Sequence, residues 1–261
     1  MRALSVAATG MQSQQLNIDN ISNNLANVNT TGFKRGRADF QDLLYQTVKP
    51  AGNNASVSTE VPTGIYLGLG SRPASIQKLF TQGSYTQTGQ SLDVAIEGDG
   101  FFQITRADGS FAYTRDGAFK LDSQGRIVTS NGDLLTPTIT IPSDVKSEDV
   151  TIATDGTVSV IQNGQTSTIG NLTLARFANQ GGLAPQGQNL YTETQASGTA
   201  QTNTPGVQGY GTLRQNYLEM SNVSVVEELV NMIVAQRAYE VSSKAITAAD
   251  EMMETAAQLK R

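Results

Sequence analysis

Apolar residues recur at a helical spacing near both ends of the chain and at a strand-like spacing between them. From residue 3 to about 29, Leu4, Met11, Ile18 and Leu25 repeat every seven positions, and Ala7, Gln14, Ile21 and Val28 follow each by three. This a/d pattern over four heptads predicts one amphipathic helix, roughly 40 Å long. It should end near Asn29-Thr-Thr-Gly32, where Gly32 can take the left-handed conformation that closes a helix, with Phe33 directly after it. The other face of this helix is unusual. Asp19 is the only charged residue between Arg2 and Lys34, while Asn and Gln occupy 12, 14, 15, 17, 20, 23, 24, 27 and 29. A solvated face normally carries charge. An amide face that includes Asn24 and Asn27 suits hydrogen bonding across a packed interface; the plainer alternative is a helix capping its own domain.

The C-terminal pattern is longer. Ser224-Val-Val-Glu227 has the form of a capping box, and no Gly or Pro follows residue 211. Val225, Leu229, Met232, Tyr239, Ile246 and Met253 mark a 4-3 seam interrupted by Gln236, Ser243 and Asp250. Ala235, Ala238, Ser242, Ala245, Ala249 and Ala256 form a neighbouring stripe of small residues that permits close helix approach. The predicted helix, 224 to about 259, would be roughly 54 Å long. That length exceeds globular averages and implies a coiled coil or an array.

Between the helices the period changes to two. Phe101-Phe-Gln-Ile-Thr and Phe111-Ala-Tyr-Thr flank Asp108-Gly; Phe119-Lys-Leu and Gly125-Arg-Ile-Val-Thr flank Asp122-Ser-Gln-Gly. Asn131-Gly, Asp155-Gly and Asn163-Gly are further hairpin signals. Residues 47–75, polar and then Gly-punctuated, read as a loop or loosely held connector. The expected fold is α+β. Residues 1–35 and 218–261 form long helices pairing as a coiled-coil domain, 36–91 an extended connector, and 92–217 an inserted all-β domain.

Composition narrows the chemistry. The 261 residues include no His and no Cys, which removes histidine bases, triads, zinc–thiolate sites, disulfides and thiol nucleophiles. A net charge of −5 disfavours a polyanionic partner, so nucleic acid is not expected. Lys34, Arg35 and Arg37 are only a weak basic patch. No span approaches the roughly 20 apolar residues of a membrane helix, and Gln12, Gln14 and Gln15 interrupt the start before a cleavable signal peptide could form. Gly68-Leu-Gly and Gly98-Asp-Gly read as turns rather than phosphate loops. Asp93, Glu97 and Asp99 crowd together without the spacing of a calcium loop. Asp116 reads as a turn residue and Arg115 as its exposed neighbour. No catalytic residue, cofactor or metal site is expected.

Two helices paired only with each other would leave the amide face and the alanine stripe uncovered. Covering them requires neighbouring copies, and a repeated head-to-tail interface that does not close yields a helical tube. Expected interface positions are Leu4, Met11, Ile18, Ile21, Leu25, Asn24, Asn27, Gly32 and Phe33, with Leu229, Met232, Gln236, Tyr239, Ala238, Ala245, Ile246 and Met253.

Asn23-Asn-Leu-Ala-Asn-Val-Asn-Thr-Thr-Gly-Phe-Lys34 resembles the N-terminal signature of flagellar basal-body rod and hook proteins. Leu218-Glu-Met-Ser-Asn-Val-Ser224 and Asn231-Met-Ile-Val-Ala-Gln-Arg-Ala-Tyr-Glu240 resemble that family's C-terminal motif, and Gly98-Asp-Gly-Phe-Phe-Gln and Tyr113-Thr-Arg-Asp-Gly-Ala-Phe119 its middle domain. The resemblance implies a structural subunit that leaves through the flagellar type III export apparatus without cleavage. Length, together with Asp39-Phe-Gln-Asp-Leu-Leu-Tyr-Gln46 and the polar stretch behind it, points to the distal rod, a straight shaft crossing the periplasm towards the outer membrane. Implied partners are other copies, proximal rod proteins, hook protein, the periplasmic and outer-membrane bushing rings and the export apparatus. Proximal rod and hook subunits remain alternatives within the family. From another class, the alternative is a carboxylate-dependent cell-wall glycan hydrolase using Asp93, Glu97 and Asp99.

Overall fold

The structure is a computed structural model that describes residues 2–51, 54–56, 59–60, 62–162 and 165–258. The chain divides into two compact units: Met1–Leu25, Gly36–Gln77 and Ser224–Arg261 form one, Ala26–Arg35 and Lys78–Val223 the other. Compactness therefore divides the chain elsewhere than the helix-versus-strand pattern does.

The first unit holds both long helices, α1 (Arg2–Ala26) and α2 (Val225–Gln258). Ser224 caps α2: its side-chain oxygen accepts the Glu227 N–H at 3.5 Å and its carbonyl the Glu228 N–H at 3.0 Å. Gly10 lies against Ser242, and Asn24 Nδ2 donates to Glu228 Oε2 at 3.3 Å. Rising numbers on one helix thus meet falling numbers on the other, so the pair is antiparallel. The α2 positions buried in this unit are Glu228, Ala235 and Ala249, seven or fourteen residues apart, a single line along the helix.

This differs from the expectation. The stripe of small residues is not left wholly uncovered; Ala235 and Ala249 are buried and Ala238 and Ser242 half-buried in the chain's own unit, because small side chains let two helices approach closely, while Ala245 and Ala256 stay exposed. The large residues of the expected seam lie outside that line. Leu229, Tyr239 and Met253 are exposed, while Met232 and Ile246 flank the line half-buried.

Residues 36–78 are not a loose connector. Gly36–Asp42 pairs with Ser71–Lys78, and Tyr45–Lys49 pairs antiparallel with Ile65–Gly68, placing Tyr45 opposite Gly68 and Thr47 opposite Tyr66. Asn54–Ser56 pairs in turn with Thr59–Glu60. Of the stretch expected as a loop, residues 52, 53, 57, 58 and 61 lie outside the described residues. The result is a ribbon of two-stranded ladders rooted on α1, where Asn24 Oδ1 accepts the Gly36 N–H at 2.8 Å and Ser13 Oγ meets Ser71 Oγ at 3.1 Å. The polar run at 50–59 concealed it. An extended backbone needs partners for its N–H and C=O groups, and β-formers at Tyr45, Val48 and 65–67 supply the strands.

The second unit is the inserted β domain. Phe101–Thr105 is the central strand of its largest sheet, with Phe111–Thr114 on one edge and Leu134–Thr136 and Leu174–Arg176 sharing the other. The Asp108-Gly109 turn joins Phe101–Thr105 to Phe111–Thr114, as its sequence predicts. The Asp122–Gly125, Asn131-Gly132 and Asp155-Gly156 turns also join antiparallel partners. The Asn163-Gly164 turn lies outside the described residues, but Gln162 and Gln165 are paired on either side of it. Successive residues of the central strand face opposite ways. Phe102 and Ile104 enter the larger core with Val94, Ile96, Ile127, Leu135, Val158 and Leu213. Phe101 enters a second cluster of Tyr113, Phe177, Leu183 and Tyr191, where Tyr113 and Phe177 meet edge-to-face at 4.8 Å. Burying each such ring stabilises the unit by about 1.5–3 kcal/mol.

Residues 26–35 belong to this unit through Gly32, which has φ +67°. A side chain there would place a Cβ 2.6 Å from the Asp116 amide nitrogen and 2.9 Å from the Arg115 carbonyl carbon. Gly32→Ala should therefore lower the unit's stability by about 2–4 kcal/mol, combining left-handed strain with the clash. A urea melt followed by tyrosine fluorescence measures this; an unchanged midpoint would contradict it.

Candidate assembly surface

The expected interface residues fall into three groups. Leu4, Met11, Ile18 and Leu25 are half-buried along α1, and Ile21 is buried. Asn24 is buried inside the first unit, its amide committed to Gly36 on both sides: Nδ2 donates to the Gly36 carbonyl at 2.8 Å while Oδ1 takes the Gly36 N–H. Asn20 Nδ2 donates to the same carbonyl at 2.9 Å. Part of the amide face thus holds the root of the ribbon. Asn27, half-buried, accepts from Thr30 Oγ1 at 3.2 Å. The outer part of the face, Gln12, Gln15, Ser22, Asn23 and Asn29, remains exposed.

Gly32 and Phe33 are buried in the second unit, with Lys78 Nζ 4.3 Å from the Phe33 ring centre. On α2, Ala238 is half-buried, and Gln236 and Ala245 are exposed beside Leu229, Tyr239 and Met253.

Sequence reasoning missed the largest part of the surface. Val226, Val230, Ile233, Val234, Val241 and Met252 are exposed on α2, off the expected seam. The signal was present, since eight of the eleven residues of Val225–Ala235 are apolar, more than one core-facing stripe needs. The ribbon is a second such surface. Leu44 is 84% exposed, and Tyr45, Val48, Ile65, Tyr66 and Leu67 also lie in the open. A lone two-stranded ribbon is marginal in water. Monomeric proteins rarely leave contiguous apolar surface of this kind open to water.

The acidic trio is not gathered in one place for a metal. Asp93, Glu97 and Asp99 do not gather as a metal-holding group among the described residues. Asp93 is buried, and Asp99 lies 3.9 Å from Arg176.

Arg115 is not the exposed neighbour its sequence position suggests. It is buried, together with Lys34 and Glu219. Lys34 Nζ meets Glu219 Oε1 at 2.6 Å, and Arg115 Nη1 meets Glu219 Oε2 at 3.4 Å. Desolvation by burial holds Lys34 and Arg115 below their ordinary pKa values, against the opposing pull of Glu219. Burial likewise pushes the neighbouring Asp116 carboxyl up, although it accepts from the Ala118 N–H and from Thr31 Oγ1. Three residues far apart in sequence gave no local pattern to read. The sequence marked Lys34 only as part of a weak basic patch with Arg35 and Arg37 and as the end of the motif at 23–34.

Comparison with known proteins agrees with the architecture. Residues 4–34 match the family described as flagella basal body rod protein, 95–160 the flagellar hook protein FlgE/F/G D1 domain, and 214–259 the flagellar basal body rod FlgEFG protein C-terminal region. The flagellar basal-body rod protein FlgG of Buchnera aphidicola subsp. Acyrthosiphon pisum is 51% identical over 98% of this chain and 99% of its own. The protein of that name in Borreliella burgdorferi is 49% identical over 100% of this chain and 99% of its own. That in Caulobacter vibrioides is 48% identical over the full length of both. These are structural proteins rather than enzymes, and the chain belongs to the flagellar basal-body rod protein family.

Proposed function

We propose that this chain is the structural subunit of the straight distal rod of the flagellar basal body, where copies polymerise into a tube that carries torque from motor to hook and walls the export channel. The observation that carries this reading is the row of uncovered Val, Leu, Ile and Met side chains on α2. Such a row costs solubility in a lone chain and is stable only when other copies cover it. In the tube, α1 and α2 pack as coiled coils with helices of adjacent copies, and the exposed amide face of α1 supplies hydrogen bonds across those contacts. Proximal rod proteins, hook protein, the bushing rings and the export apparatus are the further partners, along a shaft that crosses the periplasm. The ribbon bridges neighbouring copies and stiffens the wall, a reading supported by the exposure of Leu44, Tyr45, Val48, Ile65, Tyr66 and Leu67.

Electron microscopy of the purified protein under polymerising conditions tests the main reading, with straight tubes expected and dispersed monomers at all concentrations counting against it. Replacing residues 45–68 by a short flexible linker should give tubes that bend. Tubes as straight as the parent's would refute the role of the ribbon.

A further inference from the structure

Two segments far apart in sequence meet inside the second unit. Residues 27–35 follow the end of α1, and residues 217–224 precede the start of α2. They are the roots of the two helices, and they bond directly to each other. The Gly32 N–H donates to the Glu219 carbonyl at 2.8 Å, Lys34 Nζ to Glu219 Oε1 at 2.6 Å, and the Arg35 N–H to Asn222 Oδ1 at 2.7 Å. Both roots also bond to the segment 78–84. The Leu79 N–H donates to the Arg35 carbonyl at 2.9 Å and the Met220 N–H to the Ser84 carbonyl at 2.8 Å. Asn222 Nδ2 reaches the Leu79 carbonyl at 2.9 Å and Thr81 Oγ1 at 2.8 Å.

Glu219 is the centre of this arrangement. One carboxylate oxygen takes Lys34 Nζ and the Gly83 N–H, at 2.6 and 3.0 Å, and the other takes Arg115 Nη1 at 3.4 Å. Its backbone carbonyl holds Gly32, and its own strand pairs with Tyr85–Gln87. Two cations and one anion are buried here, and carbonyls meet the excess positive charge. Lys34 Nζ donates to the Thr81 carbonyl at 2.8 Å and Arg115 Nη2 to the Gly98 carbonyl at 2.8 Å, while the Phe101 ring lies 5.5 Å from the guanidinium.

A buried ion pair is a poor source of net stability, because desolvating the charges consumes most of the attraction. It is a strict selector of arrangement. A charge left without its partner inside the fold is heavily penalised, so any shift of either root along the other strands a buried charge. Apolar side chains at the same three positions would tolerate such a shift.

We propose that Glu219 is a positioning residue that locks the two helix roots together in one register, so that residues 31–35 and 217–222 seat on the β unit together or not at all. The deep end of the N-terminal motif, Lys34, is then part of the β unit's fold rather than of the helix surface. This reading does not depend on polymerisation and can fail or hold independently of it.

Amide hydrogen exchange on the full chain separates positioning from general stability. In Glu219→Gln the amides of Gly32, Arg35, Leu79 and Gly83 should lose protection by about 100-fold or more, while the strands Phe101–Thr105 and Phe111–Thr114 lose much less. Uniform loss across the unit, or no loss at the roots, would overturn the proposal. Should Glu219→Gln fail to fold, Lys34→Met decides, because Arg115 still pairs the carboxylate. Protection should then fall at residues 32–35 while the central strands hold; intact protection at 32–35 refutes the lock. The double variant adds a coupling readout. Adding Lys34→Met to Glu219→Gln should cost far less than Lys34→Met alone, since the two residues act as one unit; additive losses would refute it.

Discussion

Deleting residues 1–25 should abolish tube formation while leaving the β unit folded. The deletion removes α1 up to the boundary of the first compact unit and spares the root at 26–35. Without α1, the buried faces of Ala235 and Ala249 on α2 open to water, and the ribbon loses the Asn20 and Asn24 amides that hold Gly36. Most of a helix's stability in a protein comes from packing of its buried face rather than from propensity, so α2 should fray as well. The β unit keeps its two cores and the Lys34–Glu219–Arg115 cluster, so its unfolding free energy from a urea melt should stay within about 0.5 kcal/mol of the parent's. Electron microscopy and tyrosine-monitored melting read the two outcomes. Tubes from the shortened chain would show that α1 is not the assembly element. Extending the deletion to residue 35 should, in contrast, destabilise the β unit itself.

Placing one charge on the exposed face of α2 should be as damaging to assembly and nearly silent in the lone chain. Ile233 is 52% exposed, so Ile233→Asp meets water in the monomer. The two residues differ in helix propensity by only a few tenths of a kcal/mol. In a tube the same carboxylate would be buried against a neighbouring copy with no partner. A penalty of about 3 kcal/mol or more follows from desolvating it, which corresponds to at least a 100-fold rise in the subunit concentration needed for polymerisation. Sedimentation across a concentration series measures that threshold. Ile233→Leu, which keeps the volume, should polymerise like the parent. If Ile233→Asp assembled at the parental threshold, the face would have to be solvent-lined in the tube.

The two predictions address different kinds of residue, and the difference explains what could be read in advance. The helical arms were legible because heptad spacing, the Ser224 cap and the absence of Gly and Pro after 211 are local signals. The hairpins were legible for the same reason: Asp-Gly and Asn-Gly turns specify pairing between adjacent strands. Of the candidate surface, Leu229, Tyr239 and Met253 were named and are exposed, whereas Val226, Val230, Ile233 and Val234 were passed over because they fall off the heptad seam. Asn24, Gly32 and Phe33 were assigned to contacts with other copies, yet each has a place inside its own chain.

By itself, the sequence determined the α+β class, both helices to within a few residues, the turns of the inserted β domain and the lack of histidine and thiol chemistry. These are properties of short windows, where backbone propensity and side-chain period act between near neighbours. Tertiary structure alone decided which stripe of α2 the chain keeps for its own antiparallel pairing and which it leaves exposed. It alone turned the polar connector into a ribbon, and it alone brought Lys34, Arg115 and Glu219 together. A helix with two possible faces has no local reason to prefer one; closeness of approach decides, and that favours Ala235 and Ala249. A charged residue that will be buried, such as Glu219, looks like any surface charge until partners 104 and 185 residues away along the chain, Arg115 and Lys34, are seen to neutralise it.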